Sequence, residues 1–127
     1  MKLENSMEYY DIAGVEAIVV IEALDMNFSE GNAFKYLYRC NNILPKGKTI
    51  DDLRKVKYYL TRLLNNPQIA RSIWGNRYKA RINSGVYDAE IYQAMGHILD
   101  AVGSKKHNYI LCIEAALVCV NYEIGRY

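Results

Sequence analysis

Apolar residues recur along most of this chain at spacings of three and four, the period of helices that bury one face. Val15, Ile18 and Val19, with Glu22 on the next turn, mark a first helix from about Val15 to Asp25. Within it, Ala17 to Ile21 offers the one competing strand-like run. A second helix starts near Ser29 or Glu30 and continues to about Asn41. The segment 42–48 contains Pro45 and Gly47 and reads as a turn. Thr49 then has the character of an N-cap, with Asp51 and Asp52 in the first turn favouring the helix dipole. The third helix runs to about Leu64 on a stripe of Leu53, Val56, Leu60, Leu63 and Leu64.

Asn66-Pro67 is expected to end that helix and start a fourth, because Asn caps well and Pro is tolerated at the first helical position. Asn83-Ser84-Gly85 marks the next break. A fifth helix spans Asp88 to Val102, stopped by Gly103-Ser104, and a sixth spans Lys106 to Glu123. The expected architecture is all-α: one domain over 1–127, a compact bundle of about six short helices with a central antiparallel hairpin over about 29–64.

The sixth helix is apolar almost all round from Ile110 to Val120, with Glu114 as the exception. Such a helix sits centrally in its core or against a copy of itself, which favours a homo-oligomer. It is too short for a membrane span, which needs about 20 apolar residues. Met1 to Asp11 is acidic and lacks the basic and apolar regions of a signal peptide, so no membrane partner and a cytoplasmic location are expected. Cys40, Cys112 and Cys119 are odd in number and form no C-x-x-C pair, so reduced thiols are expected rather than a disulfide framework or zinc site.

Charge changes this picture. The formal net charge is +2, yet between Lys35 and Arg81 there are twelve Lys or Arg against Asp51 and Asp52 alone, a local balance of +10. The remainder carries four basic and twelve acidic side chains, a balance of −8. A basic middle between acidic ends predicts one positive surface, suited to a polyanion or a phosphorylated small molecule; a solvated basic face is the plainer alternative.

Gly47-Lys48-Thr49 matches the end of a phosphate-binding loop, but Asn42 stands where that loop needs its first Gly, and a helix precedes it instead of a strand. What remains is a helix N-terminus with Lys46 and Lys48 beside it, a reasonable anion site. The helix faces say more. Asn32, Lys35, Tyr36 and Arg39 fall at i, i+3, i+4 and i+7, with Ala33, Phe34, Leu37 and Cys40 on the opposite side. On the third helix Asp52, Lys55, Tyr59 and Arg62 share a face opposite much of the leucine stripe. Two such faces meeting over one cleft would neutralise phosphate with Lys and Arg and offer Tyr for stacking on a base or ribose. Asp52 would orient Lys55 or Arg39, or hold a metal-coordinated water. The alternative is a set of surface ion pairs, each worth roughly 0 to 1 kcal/mol.

Other chemistry is thinly represented. His97 and His107 stand apart from any Ser or Cys nucleophile, and satisfied or surface histidines are the expectation. Trp74 reads first as a core anchor, although Arg71, Arg77, Lys79 and Arg81 around it keep a base-stacking platform open.

Gly31-Asn32-Ala33-x-Lys35-Tyr36-x-x-Arg39, Lys46-Gly47, Asp52-Leu53-x-Lys55 and Tyr59-Leu60, in that order, resemble a small phage-encoded domain. That domain is described as SaV-like or of unknown function, and some members carry the name nucleotide kinase without having a phosphate-binding loop. The resemblance covers about 9–64. It implies phage origin, action in the bacterial cytoplasm and a nucleotide as ligand; the partner expected for the whole chain is a nucleotide or cyclic nucleotide. Tyr9-Tyr10 stands where the family has a His-Tyr pair, and Val19 where an Asp is usual. If those polar groups serve in catalysis or metal binding, the departures imply a site that holds a nucleotide without turning it over. Glu16 and Glu22 remain as acids able to hold Mg²⁺, or as two exposed acids on a helix.

Three functions are therefore expected to compete. The first is a nucleotide kinase or phosphohydrolase, with Mg²⁺ as cofactor and Lys35, Arg39 and Lys55 stabilising phosphoryl charge. The second is a non-catalytic sponge that sequesters a nucleotide signal of bacterial anti-phage defence. The third is a nucleic-acid-binding module using the basic middle. The ligand-binding set shared by the nucleotide readings is Asn32, Lys35, Tyr36, Arg39, Lys46, Lys48, Asp52, Lys55 and Tyr59.

Overall fold

A computed structural model describes residues 15–43, 47–68, 71, 74–103 and 108–127. Among the described residues every regular element is helical. They are α1 (Ala17–Ala23), α2 (Phe28–Arg39), α3 (Ile50–Asn65), α4 (Gly75–Arg81), a 3-10 turn (Ser84–Val86), α5 (Ala89–Gly103) and α6 (Tyr109–Gly125). The run Ala17 to Ile21, open to a strand on pattern alone, is helical.

Four of these helices close a ring of contacts: α2 on α3, α3 on α6, α6 on α5, and α5 back on α2. The ring encloses Phe34, Leu37, Leu53, Leu60, Ile91, Met95, Ile98, Leu99 and Ile113, all fully buried. α1 flanks α2 and α4 flanks α5. Burying one such aliphatic or aromatic side chain is worth about 1.5–3 kcal/mol, so this interior dominates the stability.

Local chemistry sets the helix ends. Asn27 caps α2: its side chain accepts from the Glu30 amide at 2.8 Å while Glu30 Oε1 accepts from the Asn27 amide at 2.9 Å, a complete capping box. Glu30 does more than cap. It is fully buried, and its carboxylate also receives Arg71 and the Tyr109 hydroxyl, tying α2 to the start of α6. Thr49 caps α3 as its sequence implied, its hydroxyl accepting from the Asp52 amide at 3.1 Å. α1 ends on Leu24, after which Asp25 takes a left-handed φ of 52° and Met26 donates back to the Ile21 carbonyl at 3.1 Å. This is a Schellman closure with Asp in the place glycine prefers.

One expectation changes. Asn66 is the C-cap of α3, and Pro67 and Gln68 are not helical; α4 begins only at Gly75. Gly75 is required there because a Cβ would stand 2.4 Å from the Leu99 carbonyl oxygen and 2.8 Å from Gly103 Cα. α4 thus starts where it can press against α5, so tertiary contact overrides the local Asn-Pro signal. The sixth helix, apolar almost all round, packs on one face within the chain. Its inner face of Cys112, Ile113, Ala116, Cys119 and Val120 packs inward, while Leu111, Val118 and Tyr122 are exposed.

Candidate anion-binding site

The α2–α3 hairpin is antiparallel, with Arg39 beside Asp52 at its closed end and Phe28 beside Tyr59 towards the other. The helical spacing of Lys35, Tyr36 and Arg39 places them together on α2, facing Lys55 and Tyr59 one turn apart on α3. Tyr36 is the hub. Its ring centroid has Lys35 Nζ at 4.5 Å, Lys55 Nζ at 5.1 Å and the Arg39 guanidinium carbon at 5.7 Å. Tyr59 lies with its ring parallel to that of Tyr36, 7° apart in plane and 6.4 Å between centroids. Phe28 and Tyr58 meet Tyr59 edge-on at 5.9 and 5.1 Å.

Three cations around one ring repel one another; two unit charges 4 Å apart do so by about 1 kcal/mol in bulk water, and less at longer range. Contact with the ring face returns about 0.5–1 kcal/mol per cation at exposed sites. Among the described residues Asp52 forms the ion pair with Arg39, its Oδ2 3.8 Å from Arg39 Nε. Asp52 is buried, and neither of those two atoms has a hydrogen-bond partner. The cluster therefore keeps surplus positive charge at the mouth of the hairpin.

Beside it runs an open groove of about 410 Å³ lined by Tyr36, Asp51, Arg54, Lys55, Tyr58 and Tyr59. On its other flank Asn32 and Lys35 border a more apolar groove of about 260 Å³ with Ile18, Ile21, Phe28 and Gly31. A ligand with an anionic end and a flat or apolar body finds both surfaces within the reach of Lys35.

Of the nine residues singled out in the sequence, Lys35, Tyr36, Arg39, Asp52, Lys55 and Tyr59 come together here, with Asn32 at the edge. Lys46 lies outside the described residues. Lys48 is drawn elsewhere: its ammonium contacts Asp88 and Glu123, each at 2.6 Å. Burial works against its charge, but these two hydrogen bonds outweigh it and raise its pKa. Its part is to neutralise Glu123, which is fully buried and also accepts from Arg126 at 3.3 Å. The helix-terminus anion site expected at Lys48 thus has its lysine committed to carboxylates of α6 and the residue preceding α5.

Phe28, Asp51, Arg54 and Tyr58 also line these surfaces but were not picked out of the sequence. Phe28 was legible, because it precedes Asn32 by four residues on the polar face of α2. Asp51, Arg54 and Tyr58 needed the path of the groove. Outside the hairpin, Trp74 is 46% exposed and carries the Arg77 guanidinium over its ring at 4.1 Å, so it is not a core anchor. His97 is half-buried in a separate groove with Lys79, Tyr92 and Gln93, and burial lowers its pKa. His107 lies outside the described residues. Cys40 is buried, and desolvation, followed by the charge of Asp52, pushes its thiol up to about 12. All three cysteines are free thiols.

Residues 4–61 are similar to DUF3310, a protein family of unknown function. The stretch similar to that family takes in α1, α2 and α3 as far as Thr61, and with them every residue of the Tyr36 cluster. Neither the curated proteins nor the solved structures include a match to this chain. Among the described residues no helix is long and apolar enough to cross a membrane.

Proposed function

We propose that the α2–α3 hairpin binds a phosphorylated nucleotide, with Lys35, Arg39 and Lys55 on its phosphates and the Tyr36–Tyr59 pair beside its base or ribose. The observation that carries this reading is the convergence of three cations on the Tyr36 ring, with Asp52 beside Arg39 and Asp51 in the adjoining groove as the carboxylates near them among the described residues. An arrangement that repels itself when empty is relieved by an anion, and charge-assisted contacts to phosphate are among the stronger hydrogen bonds. Aromatic side chains at the same place suit a ligand that has a π-face as well as charge. The resemblance to the SaV-like phage domain, with members called nucleotide kinases, supports the same ligand class and a phage protein acting in the bacterial cytoplasm.

Capture and turnover both begin with this binding step. For turnover, a Mg²⁺ ion carried by the phosphates would have Asp51 in the groove and Asp52 at its end as carboxylate neighbours. For capture by a sponge of a defence signal, the cluster alone is sufficient.

Calorimetric titration with ribo- and deoxynucleoside mono-, di- and triphosphates and cyclic dinucleotides tests the proposal. Saturable binding is expected, weakened tenfold or more in Lys35→Ala and in Arg39→Ala. Unchanged affinity in both variants would sink the site. Mass spectrometry of the ligand after incubation with Mg²⁺ separates the branches, since a sponge returns it unaltered and a kinase or phosphohydrolase does not. Binding only to oligonucleotides, falling steeply with salt, would instead favour the nucleic-acid reading.

A further inference from the structure

The outer face of α6 has a pattern of its own. Leu111, Val118 and Tyr122 are 61%, 68% and 57% exposed, and they recur at seven and four residues along one stripe that ends at Gly125. Between them lie Glu114 and Ala115 on one side of Val118 and Asn121 on the other. Glu114 is the single charge in this stripe. The opposite face of the same helix is occupied by α5 and α3. A helix buried on one face and this apolar on the other meets a second apolar surface.

Val118 stands at the middle of the stripe: Leu111 and Gly125 lie seven residues to either side, with Glu114-Ala115 three to four residues before it and Asn121-Tyr122 three to four after it. We propose that this face is a self-association surface, on which a second copy of the chain docks antiparallel with Val118 on the two-fold axis. An isologous contact needs a patch whose two ends complement each other, and here a carboxylate lies on one side of Val118 and side-chain donors on the other. In the antiparallel register, the turn carrying Glu114 and Ala115 opposes the second copy's turn carrying Asn121 and Tyr122. The Glu114 carboxylate then meets an amide and a hydroxyl, both of them donors. Leu111 packs near Gly125 and Tyr122 of the second copy, and the small Ala115 and Gly125 allow the helices to approach. A parallel pairing about the same stripe would instead set Glu114 at the level of Glu114, like charge against like in an apolar contact. The polar residues of the face thus select both the partner and its direction. A single-helix stripe makes an interface smaller than the roughly 800 Å² per partner of a standard one, so the dimer is reversible.

Sedimentation equilibrium of the whole chain tests this. A mass rising from monomer to dimer with concentration is expected, and Val118→Glu, which places two carboxylates on the axis, is expected to remain monomeric. Cysteine cross-linking under mild oxidation gives the direction and does not depend on how that variant folds. Val118→Cys is expected to form a covalent dimer that the unsubstituted chain, with its buried thiols, does not. Leu111→Cys is expected to form none, because an antiparallel pairing places its two copies at opposite ends. A monomer at every concentration, or Leu111→Cys cross-linking as fast as Val118→Cys, would overturn the proposal.

Discussion

Arg39 Nε and Asp52 Oδ2 face each other across 3.8 Å at the closed end of the α2–α3 hairpin, and neither has a hydrogen-bond partner. The pair is too long for a direct hydrogen bond and too close for either charge to be indifferent to the other. Asp52 also sits in the first turn of α3, where a carboxylate meets the positive end of the helix. Asp52 is thus held by position, and Arg39 is left with donors to offer a ligand.

Arg39→Ala should leave a buried carboxylate without its nearest cation and lower stability by about 1–2 kcal/mol, below the 3–5 kcal/mol of a fully buried pair because Arg39 is partly exposed. Asp52→Ala in the same background should be less damaging than alone. Urea unfolding of the four-member double-mutant cycle measures this, with a coupling of at least about 0.5 kcal/mol expected. Strict additivity would show that the two charges do not interact.

Lys48 should behave oppositely to the hairpin lysines. Lys48→Met removes a cation from the fully buried Glu123 and is expected to cost about 2–4 kcal/mol of stability, while nucleotide affinity stays within about twofold. The pH dependence follows from the shifts. The Lys48 ammonium holds the Asp88 carboxyl below its ordinary 3.8, so this contribution is present above that value and is lost as the pH falls through the depressed one. The Lys48 pKa is raised above 10.5, so its contribution is complete below 10.5 and is lost only as the pH rises through the raised value. Thermal melts from pH 7 down to 2 should therefore show wild type losing more stability than Lys48→Met.

Gly75→Ala tests the packing of α4 on α5. The added methyl would meet backbone atoms at 2.4 and 2.8 Å, which cannot rotate aside, so α4 must move. A loss of about 2–3 kcal/mol is expected in chemical denaturation, with the change visible as lost protection of α4 amides in hydrogen exchange. A neutral result would show that α4 is not pressed against α5 at this point.

Asp25→Gly should act in the other direction. Asp25 holds φ at 52° and places a negative charge beyond the C-terminus of α1, and both are unfavourable. Glycine relieves both at the cost of greater freedom in the unfolded chain, and a net gain of about 0.5 kcal/mol is expected, read as a rise of roughly 1–2 °C in melting temperature. A fall would mean that the Asp25 side chain holds the turn.

The local chemistry of this chain determined its helical class, its hairpin and most helix ends. Thr49 caps α3 because the groups it satisfies are within three residues of it, and the polar face of α2 follows from a spacing of three and four. Charge count located the basic middle in the same way. What depends on distant residues was decided only by the tertiary structure. Lys48 looks like a phosphate ligand in the sequence, but its partners are Asp88 and Glu123, 40 and 75 residues away, and a buried carboxylate outcompetes solvent for it. Asn66-Pro67 carries a helix-start signal that the contact of Gly75 with α5 overrides. The outward turn of Leu111 and Val118 was not legible either, because an all-round apolar helix has no periodicity to say which face the ring of α3 and α5 will cover. Periodicity reports a residue's neighbours along its own helix; burial and ion pairing depend on which helices pack together.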